Sequence, residues 1–234
     1  MESVDAPSDR PRISANQLGE FAFASEARRR TILRGHKFPR ARTTKAIVSR
    51  YSPAQFAILR SLDGSRFDLA RLEWEKLALK PKKPDDKRSV SRCQDNRAAI
   101  QSFLEISEQA SLPTGEHFKI RKNSHLLIDG VVISARPEVI TEDHQAGRVA
   151  FTKFRFSKSK ASFDESEIIL LTLLKFGEDR NWPGMHFDLR ASQLIDCFAK
   201  TVIRGHQLPA IREKQLAAAL AEIRRLWPAI TAAN

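Results

Sequence analysis

Residues 162–174 read Ser-Phe-Asp-Glu-Ser-Glu-Ile-Ile-Leu-Leu-Thr-Leu-Leu, and this stretch carries the clearest structural signal in the chain. Ser162 and Glu165 have the three-residue spacing of a capping box, which satisfies the first backbone N–H groups of a helix. The run from Ile168 to Leu174 is apolar nearly all round, and a helix of that kind is stable only when it is buried. The stretch therefore predicts a helix covered by a sheet, as in an α/β protein.

Strand-like composition lies on both sides of this helix. Segments rich in β-branched and aromatic residues, separated by turn-like stretches, predict five strands. They cover residues 117–121, 126–135, 149–156, 186–189 and 194–200. A final amphipathic helix is marked by Leu216, Leu220, Ile223 and Trp227, and Pro228 is expected to end it.

The first half of the chain is expected to be helical. Ser14 and Gln17 resemble a capping box, which predicts one helix over residues 14–34. Further helices are predicted over 53–62, 69–79 and 90–108, with a polar linker over 80–88. These segments suggest a disordered lead (1–12), a single domain (13–230) and a short tail (231–234). Within the domain, a helical insertion (35–115) precedes the sheet core (117–200).

The composition limits the classes of function. The chain has 40 Lys and Arg against 28 Asp and Glu, a formal net charge of +12, which favours a polyanionic partner. The two cysteines lack metal-binding spacing and are expected to be reduced. No apolar run approaches the roughly 20 residues that cross a bilayer, and no signal peptide is recognised. We therefore expect a cytoplasmic protein with no membrane contact and no metal site or cofactor of its own, and the oligomeric state is left open.

One long stretch has cations and no acids. Residues 27–62 contain no Asp or Glu, so nothing nearby in sequence neutralises the basic side chains. The candidate nucleic-acid-binding residues are Arg28, Arg29, Arg30, Arg34, Lys37, Arg40, Arg42 and Lys45. Phe38 and Tyr51 are candidates for stacking on unpaired bases. Docking of an acidic protein and an inert solvated surface are the alternative interpretations. Residues 153–160, Lys-Phe-Arg-Phe-Ser-Lys-Ser-Lys, are a further basic segment with interleaved aromatic residues.

Two neighbouring segments in the middle of the chain carry charged residues in a recognisable order. The first runs from Asp129-Gly130 to Pro137-Glu138, and the second from Gly147 to Lys153-Phe-Arg155. Together with the opening helix, they resemble the PD-(D/E)XK nuclease superfamily, particularly its RecB-like branch. The resemblance covers roughly residues 13–34 and 117–200. It implies a restriction-endonuclease-like core, a central mixed sheet flanked by helices, with a helical insertion between the first helix and the first strand.

The resemblance also implies roles for individual residues. Pro137-Glu138 would correspond to the Pro-Asp metal ligand of the superfamily, Lys153-Phe-Arg155 to its acid-x-lysine triplet, and Glu20 to an acid on the first helix. Lys153 departs from the pattern, because a cation there would repel Mg²⁺. Lys153 and Arg155 share a strand face and are expected to pair with Glu138, while Asp129 is a substitute ligand. The candidate catalytic residues are Glu20, Asp129, Glu138, Lys153 and Arg155.

These observations lead to three hypotheses about function. The first is a nucleic-acid-binding protein with a degenerate, inactive nuclease-like core, of the kind found in bacterial defence or mobile-element modules. The second is a Mg²⁺-dependent nuclease that uses Glu138 with Asp129 or Glu20. The third is an interaction subunit that docks an acidic protein. The C-terminal part, with Trp227-Pro228, also resembles uncharacterised bacterial proteins of similar length.

Overall fold

A computed structural model describes residues 9–39, 50–62, 66–79, 87–118 and 124–232. The described part is an α/β structure with seven helices and mixed sheets. The helices are α1 (Ala15–Phe23), α2 (Glu26–Lys37), α3 (Ser52–Leu62), α4 (Asp68–Leu79), α5 (Lys87–Leu104), α6 (Phe163–Glu178) and α7 (Ala210–Leu226). None of the helices in these ranges is both long enough and apolar enough to span a membrane.

The strands form two sheets. They are β1 (Arg12–Ser14), β2 (Glu116–Phe118), β3 (His125–Ile128), β4 (Val131–Ser134), β5 (Val139–Asp143), β6 (Arg148–Arg155), β7 (His186–Phe187), β8 (Gln193–Asp196) and β9 (Thr201–Arg204). The larger sheet has the order β2-β5-β6-β8-β9, and β7 also pairs with β6. Strands β6 and β8 are parallel, and α6 connects them in sequence; β5 and β9 are antiparallel to their neighbours. The smaller sheet has the order β1-β4-β3.

Helix α6 lies between the large sheet and a second layer of helices. One side of α6, with Ile169 and Leu173, packs in a core that includes Phe151 of β6. The other side, with Ile168 and Leu171, packs in a core that includes Leu18 of α1 and residues of α7. The capping box at Ser162 is present with both of its hydrogen bonds. The prediction of an apolar helix buried against a sheet is therefore confirmed, and helices cover its other side.

Several predicted boundaries were wrong for local reasons. The helix predicted over 14–34 is two helices, because Ala24 is extended and the Ser25 side chain caps α2 by accepting from the Arg28 N–H. The strand predicted over 126–135 is a hairpin. Its turn residues Asp129 and Gly130 both have positive φ, +47° and +76°, as a tight turn between antiparallel strands requires.

The N-terminal residues and several strands also differ from the predictions. Of the predicted lead, residues 9–12 are described, and Arg12 already begins β1. The strand predicted over 194–200 ends at Asp196, and the chain then turns into β9, which was not predicted. Strand β5 was not predicted either, because its sequence Val-Ile-Thr-Glu-Asp is two apolar residues followed by three polar ones and shows no period-two alternation. The helices predicted over 53–62 and 69–79 are confirmed to within a residue.

Helices α3, α4 and α5 occupy the interval between α2 and β2. They share a small core of their own that includes Ile100 and Cys93. A second core joins them to the sheet, where Ile58 and Phe103 pack with Phe154 of β6. Strand β6 is therefore covered on both faces, by α6 on one side and by these helices on the other.

Gly19 explains how α1 approaches α6 so closely. A Cβ atom at Gly19 would lie 2.6 Å from the backbone carbonyl oxygen of Glu165 and 2.9 Å from Cγ1 of Ile169. Both distances are shorter than a van der Waals contact, and a backbone oxygen cannot rotate away. The glycine that lowers helix propensity in α1 is thus required by the packing of α1 on α6.

We expect Gly19→Ala to lower the free energy of unfolding by about 1–3 kcal/mol, because the added methyl overpacks the α1–α6 contact. The control is Gly35→Ala in α2, where the added methyl would have no neighbouring atom within 4 Å. That change should be neutral or stabilising by up to about 1 kcal/mol, because alanine is the better helix former. Urea unfolding of both variants measures the difference. Equal effects would show that the α1–α6 contact is not tight.

A buried ionic network fastens α6 to α7. Glu167 of α6 accepts from Nε of Arg212 at 2.6 Å and bonds Nε2 of His206 at 2.7 Å. Arg212 also pairs with Asp164. Burial raises the pKa of Glu167, but the hydrogen bonds and charges of His206 and Arg212 outweigh it and leave the pKa below its usual value.

The depressed pKa makes this part of the stability pH-dependent. Glu167 stabilises the fold above its ordinary, unfolded-state pKa, and that contribution is lost as the pH falls through the lower folded-state pKa. We expect Glu167→Gln to lower the free energy of unfolding at pH 7 by about 1.5–3 kcal/mol, because the buried Arg212 loses one of its two carboxylate partners. The difference from the wild type should shrink below about pH 4. Urea unfolding at about pH 7, 5 and 3.5 tests this; a pH-independent difference would contradict it.

Candidate functional site

Glu138 and Lys153 meet at the start of β5. The pairing of Val139 with Thr152 places Glu138 opposite Lys153 on the antiparallel β5–β6 pair. The Glu138 carboxylate accepts from the backbone N–H of Phe154 at 2.6 Å. Nζ of Lys153 donates to the carbonyl oxygen of Arg136 at 2.9 Å. The structure therefore brings together two of the predicted catalytic residues.

Burial disfavours the charge on both of these side chains. It raises the pKa of Glu138, and the charge of Lys153 and the Phe154 N–H partly oppose the rise. Burial likewise lowers the pKa of Lys153, with the charge of Glu138 opposing it. Among the described residues no salt bridge joins Glu138 to Lys153 or Arg155, although the charges of Glu138 and Lys153 attract each other. Lys153 binds a carbonyl oxygen because the adjoining backbone turns towards it.

Arg136 makes that turn. It lies within the segment from Asp129 to Glu138, but no sequence pattern indicated a role for it. Arg136 has a φ of +37°, an uncommon conformation for a residue with a Cβ. Its carbonyl oxygen is the acceptor of Lys153, while its own side chain is exposed. The ordering of Arg136 by Lys153 indicates that the buried amine has a structural role in this turn.

Arg155 is bound away from Glu138. Its Nη1 lies 2.6 Å from Oδ2 of Asp196, which is its partner in the β6–β8 register, and the same nitrogen donates to the carbonyl of Ser159. The side chains of Arg155 and Asp196 are 4% and 1% exposed. The pair is thus a fully desolvated link between two central strands. No sequence pattern marked Asp196, because its role depends on the strand register.

The other two predicted acids lie elsewhere. Asp129 is in the β3–β4 turn, so it and Glu138 lie beyond opposite ends of β4, a strand about 10 Å long. Glu20 pairs with Arg28 at 2.6 Å. Within the described ranges, no three Asp, Glu, His or Cys side chains form a group that could hold a metal ion.

Helix α1 lies beside Glu138 and Lys153 through Asn16, a residue that no sequence pattern marked. Nδ2 of Asn16 donates to the carbonyl oxygen of Phe154 at 3.1 Å, and Phe154 in turn binds the Glu138 carboxylate through its N–H. Asn16 therefore docks the start of α1 beside the β5–β6 pair. Oδ1 of Asn16 is buried and has no hydrogen-bond partner among the described residues.

The predicted nucleic-acid-binding cations of α2 fall into two groups. Arg28 and Arg30 are neutralised by Glu20 and Glu26 respectively. The others bind uncharged backbone carbonyls. Arg29 donates to Phe21 and Ala22, Arg34 to Thr231, and Lys37 to Trp227 and Pro228. Arg40, Arg42 and Lys45 lie outside the described residues.

These cations do not form one continuous face, although the acid-free stretch predicts one. Nine residues are about two and a half helical turns, so Arg28 lies on the opposite flank of α2 from Lys37. Arg30, Arg34 and Lys37 recur at helical spacing on a single flank, beside the end of α7. The hydrogen bonds of Arg34 to the Thr231 carbonyl and of Lys37 to the Trp227 carbonyl place that flank against the residues that end α7. The α2 surface is therefore divided, and among the described residues its cations without a salt bridge to a carboxylate are Arg29, Arg34 and Lys37.

We expect Asp196→Asn to lower the free energy of unfolding by about 3–5 kcal/mol, because it leaves the Arg155 guanidinium buried without a counter-charge. The control is Glu178→Gln in α6, which removes an exposed acid 3.9 Å from Lys175 and should cost less than about 1 kcal/mol. Urea unfolding at about pH 7 measures both. An Asp196→Asn variant as stable as the wild type would show that Arg155 is not held structurally by this pair.

Comparison of the chain with models of known protein families found no match, and neither did comparison with curated proteins. The resemblance to the PD-(D/E)XK superfamily therefore rests on the residues quoted above, and it stays a prediction. The geometry of the chain itself carries any assignment of function.

Proposed function

We propose that the protein binds nucleic acid through backbone phosphates, without sequence preference, on a nuclease-like core that does not cleave its ligand. The observation that supports this most directly is the bonding of Arg34 and Lys37. Both side chains are held by backbone carbonyl oxygens, which position them, and neither forms a salt bridge with a carboxylate among the described residues.

The charge of the chain supports the same interpretation. A polyanion gains affinity when cations replace its condensed counterions, and an acid-free stretch provides such cations without local competition. The stretch over residues 27–62 continues from Lys37 through Arg40, Arg42 and Lys45. The net charge of +12 adds a long-range attraction for any polyanion.

The arrangement of the large sheet supports the proposal of a nuclease-like core. An antiparallel strand pair (β5 and β6) is followed by a buried helix (α6), by the two-residue strand β7 and by β8, and both β7 and β8 are parallel to β6. Helix α1 docks beside the β5–β6 pair through Asn16. This order matches the strand, helix and strand sequence implied by the resemblance to restriction endonucleases. We include such a core in the proposal.

The surroundings of Glu138 and Lys153 favour binding without cleavage. Hydrolysis of a phosphodiester by a bound metal needs oxygen ligands that gather around the ion. At this centre Glu138 lies near the buried Lys153, and one oxygen of its carboxylate accepts from the Phe154 N–H. Asp129 and Glu20 lie elsewhere, so the described acids do not converge.

The test is the salt dependence of binding to fluorescently labelled DNA and RNA oligonucleotides of about 20 nucleotides, measured by anisotropy. We expect log K to fall linearly with log salt, and Arg34→Gln with Lys37→Gln to reduce that slope by about 1 for each cation removed. The matched control removes two exposed cations from α4, Arg71→Gln with Lys76→Gln, and should change the slope less. Thermal melting confirms that each variant is folded.

Two outcomes would overturn the proposal. Binding that does not respond to salt, or no binding to DNA or RNA, would exclude a phosphate-directed function. If a preparation free of nucleic acid instead retained an acidic protein, the docking hypothesis would replace it. Metal-dependent cutting of the same oligonucleotides, abolished by Glu138→Ala, would show that the core is catalytic.

A further inference from the structure

A second cationic cluster lies where the α3–α5 helices meet the sheet, at the buried carboxylate of Asp95 in α5. Oδ2 of Asp95 accepts from Nε of Arg50 at 2.6 Å, and Oδ1 lies 2.7 Å from Nζ of Lys158. The Asp95 side chain is 9% exposed, whereas those of Arg50 and Lys158 are 52% and 68% exposed. One buried acid thus holds two cations that face the solvent.

Neighbouring groups fix the geometry of this cluster. Nη2 of Arg50 donates to Oγ of Ser91 at 2.7 Å. The carbonyl oxygen of Arg50 accepts from Nδ2 of Asn96 at 2.8 Å and from Nε of Arg92 at 3.3 Å. Arg50 is therefore bound through both its side chain and its backbone. Cations ordered in this way lose little further side-chain entropy when a ligand binds.

The charge of the cluster stays positive. Burial raises the pKa of Asp95, but hydrogen bonds from Lys158 and Arg50 outweigh this and leave the pKa below its usual value. The hydrogen bond to Asp95 in turn raises the pKa of Lys158. Two cations thus share one carboxylate, and the exposed Lys160 lies two residues further along the same loop. Guanidinium and ammonium groups retain N–H donors that Asp95 does not use.

Two basic segments of the sequence meet at this point, on the Asp95 carboxylate of α5. Arg50 belongs to the acid-free stretch over 27–62, and Lys158 to the basic segment over 153–160. These segments are far apart in the sequence, and only the packing of α3 and α5 on the sheet brings them together.

The aromatic residues nearby are used by the core. Tyr51 stacks on Phe156 with ring centroids 5.3 Å apart, and Phe198 packs against the edge of Tyr51 at 5.7 Å. The stacking of Tyr51 on a base, expected from the sequence, is therefore disfavoured. The cluster presents charged donors without an open aromatic platform among the described residues, which suits the sugar–phosphate backbone rather than unpaired bases.

We infer that Arg50 and Lys158, oriented by Asp95, form a binding site for the phosphates of a nucleic-acid backbone. The inference rests on the proposed function and gives it a second contact point, joined to α2 in sequence by the acid-free segment 38–49. Because the site would bind phosphates and make no contacts with bases, we expect similar affinities for single-stranded DNA and RNA of the same length.

The experiment compares two double variants in the anisotropy assay with the same labelled DNA. Arg50→Gln with Lys158→Gln should reduce the slope of log K against log salt by about 2, since two phosphate contacts are lost. Arg50→Lys with Lys158→Arg keeps both charges and should retain the wild-type slope. The control pair Arg71→Gln with Lys76→Gln removes the same charge from α4.

A second readout locates the ligand independently of affinity. Lys158 should be protected from acetylation by a saturating concentration of the same DNA, as measured by mass spectrometry on the wild-type protein. If the wild type binds DNA with a salt-dependent slope while the Gln variant is unchanged and Lys158 stays reactive, this inference fails and the proposed function stands. If the wild type binds no nucleic acid, the proposed function itself fails.

Discussion

Helix α6 has almost no side facing the solvent, and this constrains the rest of the structure. Ile168 and Leu171 need one apolar cover, and Ile169 and Leu173 need another. The large sheet provides the second, while α1 and α7 provide the first, so these elements are all fixed around a single helix. The Gly19 contact and the Glu167–Arg212 network both lie on the helical side of α6, where they set how closely α1 and α7 approach.

The same layering explains why the central strands contain buried charge. Strand β6 is covered on both faces, and Lys153 and Arg155 still lie within it. Each is satisfied by a different partner, a backbone carbonyl for Lys153 and the Asp196 carboxylate for Arg155. Removal of a partner from such a site leaves a desolvated charge, which is more costly than loss of a surface ion pair. The residues that resemble a nuclease motif therefore also hold the sheet together.

Partner chemistry distinguishes the cations of this chain more clearly than their number does. A cation paired with a carboxylate, such as Arg28 with Glu20, offers little net charge to a ligand. A cation bound by a carbonyl, such as Lys37, keeps its charge while it is held in place. At Asp95 two cations share one acid, which orders both and leaves a positive excess. Ordered and incompletely neutralised cations of this kind suit phosphate ligands best.

The sequence by itself determined the features that depend on local patterns. The capping box at Ser162, the all-round apolar helix, α3 and α4 and the acid-free basic stretch were all readable, because each is set by residues close to one another in the chain. It could not show the hairpin at Asp129, the Arg155–Asp196 pair or the docking of Asn16. Each of these depends on strand register or on contacts between distant segments. The meeting of Arg50 and Lys158 at Asp95 was likewise decided by the tertiary structure alone, since only packing brings residues so far apart in sequence onto one carboxylate.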